Sequence, residues 1–204
     1  MYKVAVLAST NGTNFQSLLD AKKSGILKDS VQICCLVTNK ECGAVEKAIS
    51  AGIPYHIVDQ KGESREDFDK KVMAVLDEYQ PDLLVLGGYM RIISNGMVDK
   101  YRNRIINIHP SLLPKFGGGM SMDVHRAVIE AGETETGMTI HLIDEGVDTG
   151  PIVLQKSCSV DPSDTPETLK DKVQALEKEW YPKVVQLFAD GKIKVKDNHV
   201  VIHE

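Results

Sequence analysis

The chain has 204 residues, 42% of them apolar and 26% charged, the composition of a globular domain with a core of its own. Its formal net charge is −5 and its longest basic runs are the pairs Lys22-Lys23 and Lys70-Lys71, which excludes nucleic acid as a partner but not a small anion held by a local positive site. No apolar stretch approaches the ~20 residues of a membrane span, and the opening MYKVAVLAST is too short and strand-like for a signal peptide, so no membrane partner and a cytoplasmic location are expected.

Lys3–Ala8 is a short apolar strand, and Thr13–Ser24 has helical spacing at Phe15, Leu18 and Leu19, with Gly25 to end it. Val31–Thr38 reads as a second strand. Within it Cys34 and Cys35 are adjacent, so they are expected on opposite faces; with Cys42 and Cys158 they form no CxxC pair and read as free thiols. Gly43–Ala51 is a short helix closed by Gly52, and Pro54–Val58 is a third strand. Ser64–Tyr79 is an amphipathic helix with Phe68, Val72, Val75, Leu76 and Tyr79 on one face, opened by a capping-box-like Ser64 and Asp67. Leu83–Leu86 and Ile105–His109 are the fourth and fifth strands.

Strands alternating with helices predict an α/β domain: a mostly parallel twisted sheet with helices on both faces. Ligands in such sheets sit beyond the carboxyl ends of the strands. That directs attention to Ser9–Gly12, Gly87–Ile93 and His109–Gly119. In the second half, Asp123–Ala131 is a helix ended by Gly132, and Gly137–Ile143 and Ile152–Val160 are longer strands, expected to be partly antiparallel, around the acidic loop Asp144–Gly150. A long helix starts at Thr165, with Pro166 in the favoured first position, and runs to Ala189. Lys192–Lys196 and His199–His203 read as a hairpin across Asp197-Asn198. With no repeat or linker, 1–204 reads as one domain.

In a strand, Asn107 and His109 share a face and Ile106 and Ile108 take the other. Side by side at a strand end they are either a reactive pair or a satisfied histidine beside a turn asparagine. Asp144-Glu-Gly-Val-Asp-Thr-Gly-Pro151 supplies carboxylates, yet by itself is a turn. A carboxylate placed against His109 is expected to raise the imidazole pKa. Ser9-Thr-Asn-Gly-Thr-Asn14 leads into a helix N-terminus, where backbone N–H groups bind phosphate, although a plain helix cap would look the same. Ser111 lacks a nucleophile elbow and reads as a turn serine.

The run Asn107-Ile-His-Pro-Ser-Leu-Leu-Pro114 followed by Asp144-Glu-Gly-Val-Asp-Thr-Gly-Pro151 resembles the formyltetrahydrofolate-dependent formyltransferase family. Gly12-Thr-Asn14, Gly87-Gly-Tyr-Met-Arg-Ile-Ile93, Thr139-Ile-His141 and Glu177 with Tyr181-Pro182 are similar to the branch that acts on glycinamide ribonucleotide, and the likeness runs from Val4 to Gly191. It implies a Rossmann-like formyltransferase fold. It also implies transfer of a formyl group from 10-formyltetrahydrofolate, as co-substrate, to the amine of glycinamide ribonucleotide in purine biosynthesis. Direct amine attack through a tetrahedral intermediate needs no metal. Asn107, His109 and Asp148 would be catalytic, and His141 would support Asp148. Gly12, Thr13 and Asn14 would hold the ribonucleotide phosphate, with Gln174, Ala175, Leu176 and Glu177 at the glycinamide end. Met90, Arg91, Ile92 and Ile93 would line the folate site together with Asn107. Asp144, Glu145, Gly146, Val147 and Asp148 would form its other wall, and Arg65 would approach the folate tail. Oligomeric state stays open, a homodimer included. The chain departs from the family where Gly117-Gly-Gly-Met-Ser-Met122 replaces a compact Pro-Gly turn, predicting a longer, mobile loop.

Overall fold

The computed structural model describes residues 1–59, 62–119 and 121–203, and at 121 the backbone alone. The first half runs β1 (Tyr2–Ala8), α1 (Thr13–Ser24), β2 (Val31–Thr38), α2 (Gly43–Ala51), β3 (Tyr55–Ile57), α3 (Arg65–Tyr79), β4 (Leu83–Leu86), α4 (Asn95–Lys100) and β5 (Ile105–His109). The second half runs α5 (Ser121–Glu130), β6 (Glu135–Leu142), β7 (Ile152–Ser159), α6 (Pro166–Ala189), β8 (Ile193–Lys196) and β9 (His199–Ile202).

Seven strands form one sheet in the order β3-β2-β1-β4-β5-β6-β7. The strands from β1 to β5 are parallel, whereas β6 and then β7 are added antiparallel. The sheet is two-sided because its strands alternate. Val4, Val6 and Ala8 pack with Phe15, Ala44 and Tyr181 beneath α1, α2 and α6. Ala5 and Leu7 pack with Phe68, Val72 and Met97 beneath α3 and α4. Each fully buried Phe or Leu among these contributes roughly 1.5–3 kcal/mol of transfer free energy. Ser64 caps α3 by accepting from Asp67 N, and Thr165 and Thr168 form a reciprocal cap on α6 behind Pro166. The β8–β9 hairpin turns at Asp197 (φ 48°) and Asn198 (φ 60°), the left-handed pair that a two-residue turn requires.

One local reading is corrected and one element is added. The register of β1 against β2 slips after Val4↔Ile33, so that Ala5 faces Cys35 and Cys34 is the extra residue of a bulge. Two successive side chains then lie on one side, and Cys34 and Cys35 both enter the cluster under α3 and α4 instead of opposite faces. The helix α4 was not expected. It has six residues, too few to display a 3.6-residue period, and its signal is the cap Ser94, which accepts from Met97 N at 3.4 Å.

The chain turns from one half of the sheet to the other between β1 and β4, a switch point that opens a crevice beyond their carboxyl ends. Two hydrogen bonds join the loops there: Ser9 N to Gly88 O at 3.1 Å and Met90 N to Ser9 Oγ at 3.0 Å. Behind them the buried Tyr181 hydroxyl donates toward Leu86 O (2.8 Å) and Ile106 O (3.1 Å), tying α6 to the ends of β4 and β5.

Candidate active site

A cavity of about 670 Å³ occupies this crevice. Asn107 and His109 stand on its floor, two residues apart at the end of β5. Antiparallel pairing puts His141 directly opposite Asn107 and Thr139 opposite His109. His141 Nδ1 lies 2.9 Å from Leu142 O, and its Nε2 lies 3.3 Å from Asn107 Nδ2. At most one N–H of the Asn107 amide is directed at His141, which leaves the other for the cavity. Thr139 braces the chain beyond β5 by donating to Ser111 O at 2.7 Å and accepting from Leu113 N at 3.0 Å. Ser111 Oγ donates to Lys115 O at 2.7 Å, as a turn serine does.

Asp148 closes over His109 from the loop between β6 and β7. Gly150 permits this, because a Cβ there would lie 1.9 Å from Leu142 O. Asp144 staples the same loop, accepting from Gly146 N (3.0 Å) and Thr149 Oγ1 (2.7 Å). Asp148 Oδ2 lies 3.2 Å from His109 Nδ1 and accepts from Gly118 N at 2.8 Å; Oδ1 is 3.5 Å from His141 Nε2. Burial raises the Asp148 carboxyl pKa, but its contacts with His141 and Gly118 N–H and the nearby His109 outweigh burial and leave it at about 2. It is an anion at neutral pH.

His109 is buried, with Nε2 at 2.9 Å from Phe116 O. Both ring nitrogens thus face acceptors, which favours the doubly protonated ring, while desolvation opposes the charge. Desolvation prevails, and the His109 pKa lies below its ordinary value despite the upward pull of Asp148 and the Phe116 carbonyl. The expectation of a raised value is corrected: the carboxylate is where the sequence suggested, but the imidazole is more deeply buried than a pairwise argument allows.

On the α1 side, Gly12 is the hinge. Its φ of 70° is left-handed, and a Cβ there would lie 2.8 Å from the Ala44 Cβ. Among the described residues no side chain caps α1 and no acid sits in its first turn, which leaves its leading N–H groups open. Thr13 and Asn14 line the cavity there, and Asn14 Nδ2 donates to Glu177 Oε2 at 3.1 Å. Burial pushes the Glu177 pKa up to about 7, against the Asn14 hydrogen bond. Gln174, one turn away, also lines the cavity; Ala175 is exposed, and Leu176 packs on the core instead.

On the opposite side, Met90, Ile92 and Val147 line the cavity while 43%, 47% and 50% exposed. Apolar side chains in solvent at a cavity mouth suit a flat apolar ligand. Ile93 is buried there, and the Arg91 guanidinium lies 3.8 Å over the Phe68 ring. Glu145 turns away to Arg102 at 2.7 Å. Arg65 begins α3 as an exposed residue and is not brought to the cavity. Sequence reasoning missed Lys170 and Asp123, which line the cavity, and the Phe116 carbonyl. Only the solvent-side position of Lys170 on its helix, one turn before Gln174, hinted at it. Of the glycine-rich segment, residue 120 lies outside the described residues, and α5 begins directly after it. Among the described residues no three His, Cys, Asp or Glu side chains gather into a metal-holding group.

These features define a class, the doubly wound α/β proteins that hold small molecules at the carboxyl edge of a parallel sheet. A family model described as "Formyl transferase" matches residues 2–185, and the chain belongs to that family. Phosphoribosylglycinamide formyltransferase of Escherichia coli (strain K12) is 38% identical over 197 residues, covering 96% of this chain and 91% of that one. The trifunctional purine biosynthetic protein adenosine-3 of Bos taurus is also 38% identical over 96% of this chain, which spans 19% of that much longer protein. The crystal structure of glycinamide ribonucleotide transformylase 1 from Symbiobacterium toebii matches at a TM-score of 0.94 and 35% identity, covering 100% of this chain and 95% of that one.

Proposed function

We propose that this chain transfers the formyl group of 10-formyltetrahydrofolate to the amine of glycinamide ribonucleotide in purine biosynthesis. The observation that carries the reading is the cavity floor. An amide with a spare N–H, a buried imidazole and an ionised carboxylate meet there between an uncapped helix N-terminus and an apolar wall. The N–H groups of Thr13 and Asn14 hold the ribonucleotide phosphate. Gln174 and Glu177 orient the glycinamide end. Met90, Ile92, Ile93 and Val147 take the faces of the pterin, and the staple made by Asp144 keeps their opposite wall in place.

Amine attack on the formyl carbon turns its oxygen into an oxyanion. Asn107 donates its free N–H to that oxygen, a contact typically worth ~2.7–4 kcal/mol in acyl transfer. His109 leaves the Phe116 carbonyl and donates a second bond; the negative charge beside the ring raises its proton affinity and offsets burial. Asp148, anionic at neutral pH, holds a water that carries the amine proton toward the departing folate nitrogen. The four free cysteines fit the reducing cytoplasm, where we place the reaction.

The test is to incubate the purified chain with 10-formyltetrahydrofolate and, separately, glycinamide ribonucleotide, water alone or a sugar amine. Stoichiometric formylation of the ribonucleotide, with negligible turnover on the other two, is the expected result. Faster release of formate into water than transfer to the amine would overturn the proposal.

A further inference from the structure

Lys170 lines the cavity from α6, four residues before Gln174 and seven before Glu177. At 1.5 Å per residue their Cα atoms lie about 6 and 10 Å away along one helix face. The side chain is half-buried, and among the described residues its ammonium forms no ion pair with a carboxylate. Its charge reaches the neighbouring helix α5. The His125 pKa is lowered to about 4, first by burial and next by Lys170.

The other charges of the cavity are unfavourable for an anion. Asp123, Asp144, Asp148 and Glu177 line it, and the remaining lining guanidinium, Arg91, is stacked on Phe68. A phosphate dianion at the start of α1 would lie beside the Glu177–Asn14 contact with only backbone dipoles to neutralise it. An ammonium on a flexible four-carbon stem, one turn beyond Gln174, supplies the missing charge. Lys170 shares its helix face with Glu177, which contacts Asn14 at the start of α1, so the phosphate is favoured over the folate carboxylates as its partner.

We propose that Lys170 is the cationic partner of the ribonucleotide phosphate and sets the preference for phosphorylated over unphosphorylated acceptors. This rests on the functional reading above. The test compares wild type with Lys170→Ala and Lys170→Arg on glycinamide ribonucleotide and on its dephosphorylated riboside, with the folate KM measured in parallel. Lys170→Ala is expected to raise the ribonucleotide KM about tenfold or more, as loss of a charged hydrogen bond does. The riboside KM, the folate KM and kcat stay within about twofold, Lys170→Arg recovers most of the loss, and inhibition by inorganic phosphate weakens in Lys170→Ala. An unchanged ribonucleotide KM in Lys170→Ala overturns the proposal, as does an equal rise for ribonucleotide and riboside. If wild type transfers no formyl group, the functional reading fails instead. Calorimetric titration of inorganic phosphate into wild type and Lys170→Ala then decides the role of Lys170: weaker binding in the variant supports it and equal binding refutes it.

Discussion

Replacing Asp148 by Asn separates charge from shape at the centre of the site. Asp148 has φ 55°, a left-handed conformation that Asn tolerates better than other non-glycine residues, so the loop keeps its form. The Asn carbonyl can still accept from Gly118 N, now at 2.8 Å from the carboxylate. The change removes one negative charge 3.2 Å from His109 Nδ1. A carboxylate this close moves a neighbouring pKa by roughly 1–3 units. His109 already titrates below 6.5 because burial outweighs Asp148, so the variant pushes it further down. At pH 7 the protonated fraction then falls roughly ten- to a thousandfold, or about 1.4 kcal/mol per unit, and kcat falls within the same range with smaller changes in either KM. NMR titration of His109 beside steady-state kinetics reads both effects. Asp144→Asn is the control, since Asp144 staples its own loop and its loss should appear mainly in the folate KM. An unmoved His109 titration and an unchanged kcat in Asp148→Asn would refute the reasoning; a larger effect from Asp144→Asn would mean the two carboxylates are exchanged.

Gly12→Ala places a side chain at φ 70° against Ala44, costing about 1–2 kcal/mol before any clash, so the ribonucleotide KM should rise while fluorescence titration shows folate-analogue binding retained. Glu177 has a folded pKa near 7, raised from 4.5, so its contribution to stability is present below about pH 4.5 and lost as pH rises through 7. Glu177→Gln should therefore gain up to ~3 kcal/mol over wild type in urea melts at pH 8 and little at pH 4.5; a gap independent of pH would count against a buried titrating carboxyl. His125 is buried, neither ring nitrogen has a hydrogen-bond partner among the described residues, and its pKa falls from 6.5 to about 4. Its contribution is present above pH 6.5 and lost as pH falls toward 4, up to ~3 kcal/mol, and His125→Phe should flatten that part of the stability profile.

Much of the fold was legible because short apolar strands alternate with helical segments and because glycines and caps mark most helix ends. Ser64, Thr165 with Pro166, and the Asp197-Asn198 turn each sit where local chemistry demanded. What escaped depended on tertiary context. The bulge at Cys34 arises from pairing between β1 and β2, which no property of the pair Cys34-Cys35 announces. The strand period put Asn107 and His109 on one face, and chain order left Asp148 available; the sense of the His109 shift depended on how completely the surrounding loops exclude water. Apart from its place one turn before Gln174, nothing in the sequence sets Lys170 off from the other lysines; the packing of α6 brings it to the cavity. Arg65 was assigned by resemblance alone; it is exposed at the start of α3 and does not line the cavity itself.

The most direct test of the central claim is the single-turnover rate of formyl transfer in Asn107→Asp. The amide nitrogen lies 3.3 Å from His141 Nε2 and keeps an N–H for the cavity. The carboxylate that replaces it presents an acceptor, and a negative charge, to a developing oxyanion. With both substrates saturating, the transfer rate should fall by at least the 10²–10³-fold typical of a lost oxyanion donor, while binding of a folate analogue stays within about threefold. A transfer rate close to that of wild type would contradict the account, because the oxyanion would then be stabilised by groups other than the amide on the floor of this cavity.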